Sequence, residues 1–466
     1  MGRQGAKRRG TRQKGSLEPS GLVEVEESTA PRPEAKRARQ GGSHLEEEAV
    51  KLGGSLQNPD ALGCMPWNRW KEGAAVDPKQ EHAELAEWKE KSFTNPLFEA
   101  YYQAQGIMAA DELPTLLATL KRPLPVTFRV NPAHHAGASI LRRLQKETLG
   151  ALHRARPQLR AWRWRGQKLE FLAREVQHLP ENCVVWGLGL DRAGFNVGRK
   201  QHPEMKELFE AVQHGMSVGA VVRQEVVSML PVSVLRPLPG QRALDMFAAP
   251  GSKTAQLLEA IRPDSEAAGG LVVANDAGAE ERIPLLRRAL GARPVSEQAG
   301  LVITCAKGEQ LPLMCFGGET RRFDRVLVDA PCSRDGTVRK AADVLRKWTP
   351  DPGTQLHAVQ VELAMHSLRL LEVGGTMVYS TCSLNPVENE AVVASVLARA
   401  GPAVVLLDMG GRLGNLRTRP GLSHWRVGDA VPCTGMTGST AKNKPLSAGS
   451  KMAMRWHDTF VRLRER

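Results

Sequence analysis

From Gln241 onward, short apolar runs alternate with segments of helical periodicity, and this alternation is the strongest constraint on the fold. Short apolar runs predict buried strands, and amphipathic segments between them predict helices. An order of strand, helix and strand is typical of a doubly wound, mostly parallel sheet, so we predict an α/β fold. The predicted strands are 242–247, 271–276, 300–305, 325–329, 374–380 and 403–409, and the predicted helices are 252–261, 279–290, 355–371 and 386–400.

Composition changes along the chain and predicts four parts. Residues 1–90 are rich in Gly, Ser, Pro, Lys, Arg and Glu and predict a disordered basic tail. Residues 91–240 mix short helical and strand patterns, which indicates a smaller α+β domain that presents the substrate. Residues 241–410 carry the alternating pattern, and residues 411–466 form a C-terminal tail whose later part is rich in Gly, Ser, Thr and Lys.

The formal net charge of +14 over 466 residues favours a polyanionic partner, most simply nucleic acid. A basic but otherwise ordinary surface is the alternative interpretation of that charge. No apolar run approaches the roughly 18–20 residues that a membrane span needs, so we expect no membrane partner. The seven cysteines include neither a CxxC pair nor zinc spacing with histidine, so we expect no disulfide and no metal site.

Two basic clusters lie in the predicted tail, at residues 7–9 and 36–39. Such clusters occur in nuclear-import signals and in segments that contact RNA. A solvated tail is an equal alternative for either cluster alone. We expect a protein of the nucleus or nucleolus.

A glycine turn follows the first strand of the alternating region. It leads into a predicted helix, and a helix N-terminus after a tight turn suits a nucleotide-like ligand. It is not a phosphate-binding P-loop, because Ser252 separates Gly251 from Lys253. Asp276 ends the second strand, where a carboxylate can accept hydrogen bonds from ribose hydroxyls. A helix N-cap is the alternative for Asp276.

Cys332 and Cys382 differ from the other cysteines because each follows a predicted strand and has polar neighbours. The carboxyl ends of strands in an open sheet can face one crevice, so the two thiols can meet there. A thiolate needs nearby positive charge or a helix dipole, which Lys253, Arg334, Lys340 or a helix N-terminus could supply. We interpret three other cysteines as small buried apolar residues: Cys183, Cys305 and Cys315.

One reaction uses a thiolate, a carboxylate and a methyl donor together. A thiolate that adds at C6 of cytosine turns the ring into an enamine and activates C5 toward a methyl electrophile. Asp329 can hydrogen-bond the ring nitrogen, and a second cysteine can act as the base that releases the product. The residues alone do not decide which cysteine attacks.

Six segments carry a resemblance to a known family. The segments are NPLFEAYYQ (95–103), RPLPVTFRVN (122–131), RQEVVSMLP (223–231), LDMFAAPGSKT (244–254), DAPCSRDGT (329–337) and YSTCSLNPVENEAV (379–392). With these segments the chain resembles the Sun-type (RsmB/NOP) RNA cytosine-5 methyltransferases, and most of all their eukaryotic tRNA-methylating members. The match runs from about residue 95 to residue 408.

The resemblance implies a Rossmann-like class I methyltransferase sheet and a role for each matched position. Cys382 would be the nucleophile and Cys332 would assist product release. Asp329 would contact the cytosine, with Lys253 in the same site. Asp329 is also expected near S-adenosyl-L-methionine, and the remaining residues implied to bind that cofactor are Phe247, Ala248, Ala249, Pro250, Gly251, Ser252, Lys253, Asp276 and Arg282.

Two features depart from the family pattern. The family places after the third strand an Asp that reads the adenine amino group, whereas this chain has Lys307, which cannot accept a hydrogen bond; Glu309 is the nearby substitute. The tail after Trp425 also differs, and only residues 459–463 offer the strand that closes the family's sheet. Without it we expect an unpaired sheet edge.

Three hypotheses follow. The first is an S-adenosylmethionine-dependent RNA cytosine-5 methyltransferase that acts on tRNA. The second is an RNA-binding protein of the same fold that no longer turns over, which Lys307 and the altered tail favour. The third, an enzyme that modifies DNA or protein, leaves the resemblance before residue 240 unexplained.

Overall fold

The computed structural model describes residues 95–131, 134–144, 163–164, 167–168, 184–187, 190–262, 270–291, 300–316, 318–409, 416, 418–432 and 452–462. All of them belong to one compact unit, Lys91–Arg466. The predicted tail of residues 1–90, with both basic clusters, lies outside the described residues, as does Cys183. Within the described ranges, no helix has the length and apolar character needed to cross a membrane.

The helices and strands are numbered in chain order. The helices are α1 (Pro96–Gln105), α2 (Leu113–Leu120), α3 (Gly137–Arg142), α4 (Arg192–Gln201), α5 (Pro203–Ser217), α6 (Val226–Leu235), α7 (Ser252–Ile261), α8 (Arg282–Gly291), α9 (Asp343–Arg346), α10 (Asp351–Leu370) and α11 (Glu390–Ala400). The strands are β1 (Thr127–Val130), β2 (Arg163–Trp164), β3 (Gln167–Lys168), β4 (Val184–Gly187), β5 (Val221–Arg223), β6 (Arg242–Asp245), β7 (Leu271–Asn275), β8 (Leu301–Thr304), β9 (Met314–Phe316), β10 (Glu319–Arg321), β11 (Phe323–Asp329), β12 (Leu371–Ser380), β13 (His424–Pro432) and β14 (Met452–Arg462).

The central element is a five-stranded sheet in the order β12-β11-β6-β7-β8. Every neighbouring pair in it is parallel. The order reverses between β6 and β11, which is the switch point where open α/β sheets bind ligands. This sheet confirms the predicted α/β fold class.

Helices cover both faces of the sheet because successive strand residues point to opposite sides. Ala243 and Leu327 pack on one face against apolar residues of α6, α7 and α8. Leu244 and Val328 pack on the other face, where α10 contributes Leu370. Helix α11 packs on α10 through a small apolar cluster. These two apolar layers hold the carboxyl ends of the strands at one common edge.

A smaller antiparallel sheet, β4-β1-β5, precedes the parallel sheet in the chain. Helices α3, α4 and α5 enclose an apolar core with it. Arg129 of β1 is 2% exposed and forms an ion pair with Glu259 of α7, while Gln224 accepts a hydrogen bond from its Nε at 3.2 Å. These contacts join the smaller sheet to a helix of the parallel sheet. The domain boundaries predicted from composition stay predictions.

The predicted strand at 403–409 was wrong. Gly401–Ala403 forms a short 3-10 helix, and residues 404–409 have no regular structure. Val405 and Leu406 are 74% and 71% exposed, so this apolar run lacks the burial that stabilises a strand. Of residues 459–463, which offered the closing strand, 459–462 lie instead in β14, which pairs with β13 in a separate hairpin, and 463 lies outside the described residues. Among the described residues, β12 is therefore an edge strand of the sheet.

The sequence pattern of residues 223–229 also predicts a helix, and this prediction was wrong in its first residues. Arg223 ends β5, and α6 begins three residues later at Val226. Pairing of Arg223 with Phe128 of β1 explains the difference, because the chain extends to complete the smaller sheet.

Candidate active site

Two loops at the carboxyl ends of β11 and β12 form the centre of the site. The strands are parallel neighbours in which Asp329 pairs with Ser380. Beyond the strands, the N–H of Ala330 donates to the carbonyl of Ser380 at 2.8 Å. The N–H of Gly336 donates to the carbonyl of Cys382 at 3.0 Å. A Cβ on Gly336 would lie 2.6 Å from that carbonyl oxygen, so only glycine permits this approach.

This pairing brings the two predicted cysteines into contact. The Sγ atoms of Cys332 and Cys382 are 3.1 Å apart. The hydrogen bond from Cys332 lowers the pKa of Cys382, against the opposing effects of burial and of Asp329. Lys340 and Arg334 add positive charge that lowers it further. The same hydrogen bond, together with burial, raises the pKa of Cys332.

Glu388 links the two cysteine loops, which are the loop after β11 that carries Cys332 and the loop after β12 that carries Cys382. Its side chain is fully buried, and its carboxylate accepts hydrogen bonds from the N–H and the hydroxyl of Ser333, which follows Cys332. It also accepts from the hydroxyl of Ser383, at 2.6 Å, and from Gln360 of α10, at 3.0 Å. Gln360 in turn donates to the carbonyl of Pro331 at 2.9 Å. One carboxylate thus fixes the residue that follows each cysteine.

Asp335 forms a second buried link, and it reaches α1. The N–H of Leu384 donates to its Oδ1 at 2.6 Å, and the hydroxyl of Ser383, whose single proton points to either Glu388 or Asp335, lies 3.0 Å from the same oxygen. The hydroxyl of Tyr102 and the indole N–H of Trp348 donate to its Oδ2. Burial raises the pKa of Asp335, although these hydrogen bonds oppose the shift. Helix α1 is therefore tied to the same loops as the two cysteines.

Lys253 and Asp329 lie beside the thiols. The Nζ of Lys253 is 2.8 Å from the Oδ2 of Asp329, whose other oxygen accepts a hydrogen bond from Ser380 at 2.8 Å. The Asp329 side chain is 33% exposed and the Lys253 side chain 16%. An ion pair with this exposure can meet a ligand in the crevice.

The predicted glycine turn lies between β6 and α7. Gly251 has a φ of 107°, a left-handed conformation that glycine adopts without strain. A Cβ there would also lie 3.1 Å from Leu286 of α8. The N–H of Ala248 donates to Asn275 at the end of β7 at 2.8 Å, which holds the turn against the neighbouring strand. Phe247 and Pro250 complete the turn, and Ser252 is the first residue of α7.

Asp276 and Arg282 are paired beside this turn. Arg282 donates from Nε to Oδ1 at 2.7 Å and from a terminal nitrogen to Oδ2 at 2.8 Å. The N–H groups of Gly278 and Ala249 donate to the same carboxylate, each at 3.1 Å. Burial opposes ionisation of Asp276, but these hydrogen bonds lower its pKa overall. A carboxylate has about four acceptor sites, so a ribose hydroxyl has to replace an existing donor here.

Two cysteines predicted to be buried are exposed. Cys305 lies just past β8, and Cys315 lies in β9 of the small β9-β10 hairpin. Both are free thiols, as are Cys332 and Cys382. Lys307, the departure from the family pattern, is exposed beside the end of β8, and Glu309 is exposed as well.

The arrangement supports nucleophilic chemistry at one sulfur and proton transfer at the other. A thiol with a lowered pKa is ionised more often and is the better nucleophile near neutral pH. The neighbouring thiol keeps its proton and donates to that sulfur. A carboxylate–ammonium pair within the same crevice can orient a polar heterocycle.

The parallel sheet, the glycine turn and the paired cysteines define an α/β domain of the methyltransferase class. Residues 232–410 match the family model described as "16S rRNA methyltransferase RsmB/F". Residues 232–410 therefore form a domain of the RsmB/F methyltransferase family, which is the family that the resemblance predicted.

Curated relatives extend the match beyond that segment. The multisite-specific tRNA:(cytosine-C(5))-methyltransferase of Saccharomyces cerevisiae is 35% identical over 349 residues, or 73% of this chain and 48% of that protein. The tRNA (cytosine(34)-C(5))-methyltransferase of Drosophila melanogaster is 34% identical over 365 residues, or 75% of this chain and 46% of that protein. The chain spans about half the length of these relatives. The crystal structure of PH0851 shares the fold, with a TM-score of 0.51 and 21% identity over 76% of this chain and 66% of that one.

The structure brings Cys332, Cys382, Asp329 and Lys253 together, and it places Asp276 and Arg282 beside the glycine turn. The sequence prediction missed the residues that hold the loops. Glu388, Asp335 and Tyr102 lie inside the quoted motifs, yet no local pattern shows that they touch. Tyr102 and Asp335 are separated by 233 residues. Glu388 lies just before α11 in the polar stretch NPVENE (385–390), and this stretch gives no signal of a buried carboxylate.

Replacing Glu388 tests the link between the loops. Glu388→Ala leaves four donors without their acceptor, so we expect it to lower the free energy of unfolding by about 2–4 kcal/mol. Urea unfolding measures this loss. Glu388→Gln keeps the shape and one carbonyl oxygen, and we expect a clearly smaller loss. An Ala variant as stable as the wild type would show that Glu388 does not hold the loops.

Proposed function

We propose that this protein is an S-adenosylmethionine-dependent RNA cytosine-5 methyltransferase that acts on tRNA. The observation that carries the proposal is the pair of thiols 3.1 Å apart, one with a lowered pKa, next to the Lys253–Asp329 ion pair. Family membership supports the reaction class, and the family resemblance supports Cys382 as the nucleophile.

In this reaction Cys382 adds to C6 of the cytosine ring. Asp329 and Lys253 hold a proton beside the ring nitrogen and so stabilise the negative charge that the addition places on the ring. Once C5 carries the methyl group, Cys332, having given its own proton to solvent, accepts the proton that leaves C5, and elimination of Cys382 releases the product. The resting arrangement agrees with the first step, the attack by Cys382, because Cys332 donates to Cys382 and the pKa of Cys382 is lowered.

S-adenosyl-L-methionine would supply the methyl group to C5. The glycine turn and Asp276 suit such a cofactor, because the turn presents the N-terminus of α7 and Asp276 offers a carboxylate at the end of β7. Arg282 donates two hydrogen bonds to the Asp276 carboxylate, so the ribose hydroxyls would replace Arg282 as donors there. Phe247 lies against Gly308, where a Cβ would come within 2.9 Å of its ring.

The choice of tRNA rests on the names of the relatives in yeast and fly and on the net charge of +14. We propose that the chain before residue 240 contacts the RNA, because this part of the chain includes α1, which is tied to the cysteine loops. We also propose a nuclear or nucleolar location from the basic clusters at 7–9 and 36–39. Deleting residues 1–40 should shift a fluorescently tagged protein to the cytoplasm, and an unchanged distribution would contradict this.

Methyl transfer to tRNA tests the activity. Purified protein incubated with total tRNA and tritium-methyl S-adenosylmethionine should label cytosine at C5. Cys382→Ala should lower the rate at least about a thousandfold, because removing a nucleophile removes the covalent route. Cys305→Ser, an exposed cysteine away from the pair, should keep the wild-type rate.

The alternative is an RNA-binding protein that does not turn over. Wild-type protein that is folded and binds tRNA, yet transfers no label, would support that alternative. In that case Lys307 and the open edge of β12 are the first features to change back to the family pattern.

A further inference from the structure

The contact between the two sulfurs is closer than the proposed methyl transfer requires. In that reaction Cys382 and Cys332 act at successive steps on a ring that lies between them. Without RNA, nothing separates the thiols, and their Sγ atoms are 3.1 Å apart. Cys382 is exposed and Cys332 is half-buried, so a small solute reaches the pair.

The backbone also suits a covalent bond between these residues. A disulfide needs an S–S distance of about 2.05 Å and Cα atoms about 4.4–6.8 Å apart. Neighbouring strands lie about 4.8 Å apart, and the two loops leave adjacent paired strands. Hydrogen bonds from Ala330 and Gly336 hold the loops together past the strand ends, and Glu388 holds the residues after both cysteines. The sulfurs therefore need to move only about 1 Å, by side-chain rotation.

The two thiols differ in the way that peroxide sensing requires. A sulfur that reacts with peroxide is an accessible thiolate, and a second thiol within reach traps the product as a disulfide. Cys382 fits the first role, because its neighbours Cys332, Lys340 and Arg334 favour its ionised form. Cys332 fits the second role, because it keeps its proton beside the reacting sulfur.

We propose that Cys332 and Cys382 form a site of reversible oxidation by hydroperoxides, in which an intramolecular disulfide replaces the two thiols. The thiolate of Cys382 attacks one peroxide oxygen; the S–O bond forms, the O–O bond breaks, and the second oxygen leaves as hydroxide or alkoxide and takes up a proton. The sulfur of Cys332 then attacks that of Cys382; the S–S bond forms, the S–O bond breaks, and water leaves with the Cys332 proton. The thiols lose two electrons, and the peroxide gains them.

Two consequences follow for the protein. Neither cysteine is available for addition to a base while the disulfide is present, so any activity that needs Cys382 stops. A dithiol reductant restores both thiols. The disulfide itself does not depend on the proposed methyl transfer, so its detection and that of methyl transfer can succeed or fail separately.

Peptide mapping of the full chain tests the proposal. The protein is treated with graded hydrogen peroxide, quenched with catalase, alkylated with iodoacetamide and cut with trypsin. Trypsin separates the two cysteines into residues 326–334 and 370–399. We expect these two peptides to become linked, with a mass 2 Da below their sum, as expected for loss of two hydrogens. We expect dithiothreitol to reverse the link, and linkage at least about tenfold faster than oxidation of Cys305 or Cys315.

Matched variants sharpen the result. Cys315→Ser should form the link as the wild type does. Cys332→Ser cannot form it, and its Cys382 should accumulate sulfinic acid that dithiothreitol does not reverse. The proposal is overturned if wild-type Cys382 goes to sulfinic acid without the link, or if Cys305 and Cys315 oxidise as fast as the pair. Tritium-methyl transfer, measured in parallel, should fall and recover with the link in an active preparation.

Discussion

The parallel pairing of β11 with β12 is the constraint on which the site depends. Because Asp329 and Ser380 are partners in register, the chain leaves both strands at the same level and the following loops run side by side. Their polar contacts are buried, and buried polar groups are costly unless they are satisfied. Glu388 and Asp335 accept from serine hydroxyls and N–H groups of both loops. Loss of the strand pairing would leave these carboxylates without partners, so strand register and thiol contact are coupled.

Helix α1 shows that the site is built from distant parts of the chain. Its N-cap residue, Asn95, donates to the carbonyls of Leu345 and Trp348 at 2.8 and 3.0 Å. Tyr101 donates to Asn385 at 2.8 Å, and Gln105 exchanges two hydrogen bonds with the backbone of Arg426. The helix therefore touches both cysteine loops and β13. A segment that precedes the parallel sheet by more than a hundred residues thus helps to set the position of the thiols.

Local patterns were enough to predict the sheet and the thiols, because buried strands have short apolar runs and their ends carry polar motifs. The same reasoning failed at residues 403–409, where the apolar run is exposed and irregular, since a pattern does not show whether a neighbouring strand exists. It also failed for Cys305 and Cys315, because an isolated cysteine carries no signal of its own exposure. The links through Tyr102, Asp335 and Glu388 depend on contacts far apart in sequence, which the fold alone supplies.

RNA carrying 5-fluorocytosine tests the central claim most directly, because fluorine at C5 cannot leave as a proton and the covalent adduct persists. The protein is incubated with such a tRNA and S-adenosylmethionine, and the adduct is digested with nuclease and trypsin. The account predicts a nucleotide attached to Cys382 in the peptide of residues 370–399. A nucleotide on Cys332 in the peptide of residues 326–334, or a folded protein that forms no adduct, would contradict it.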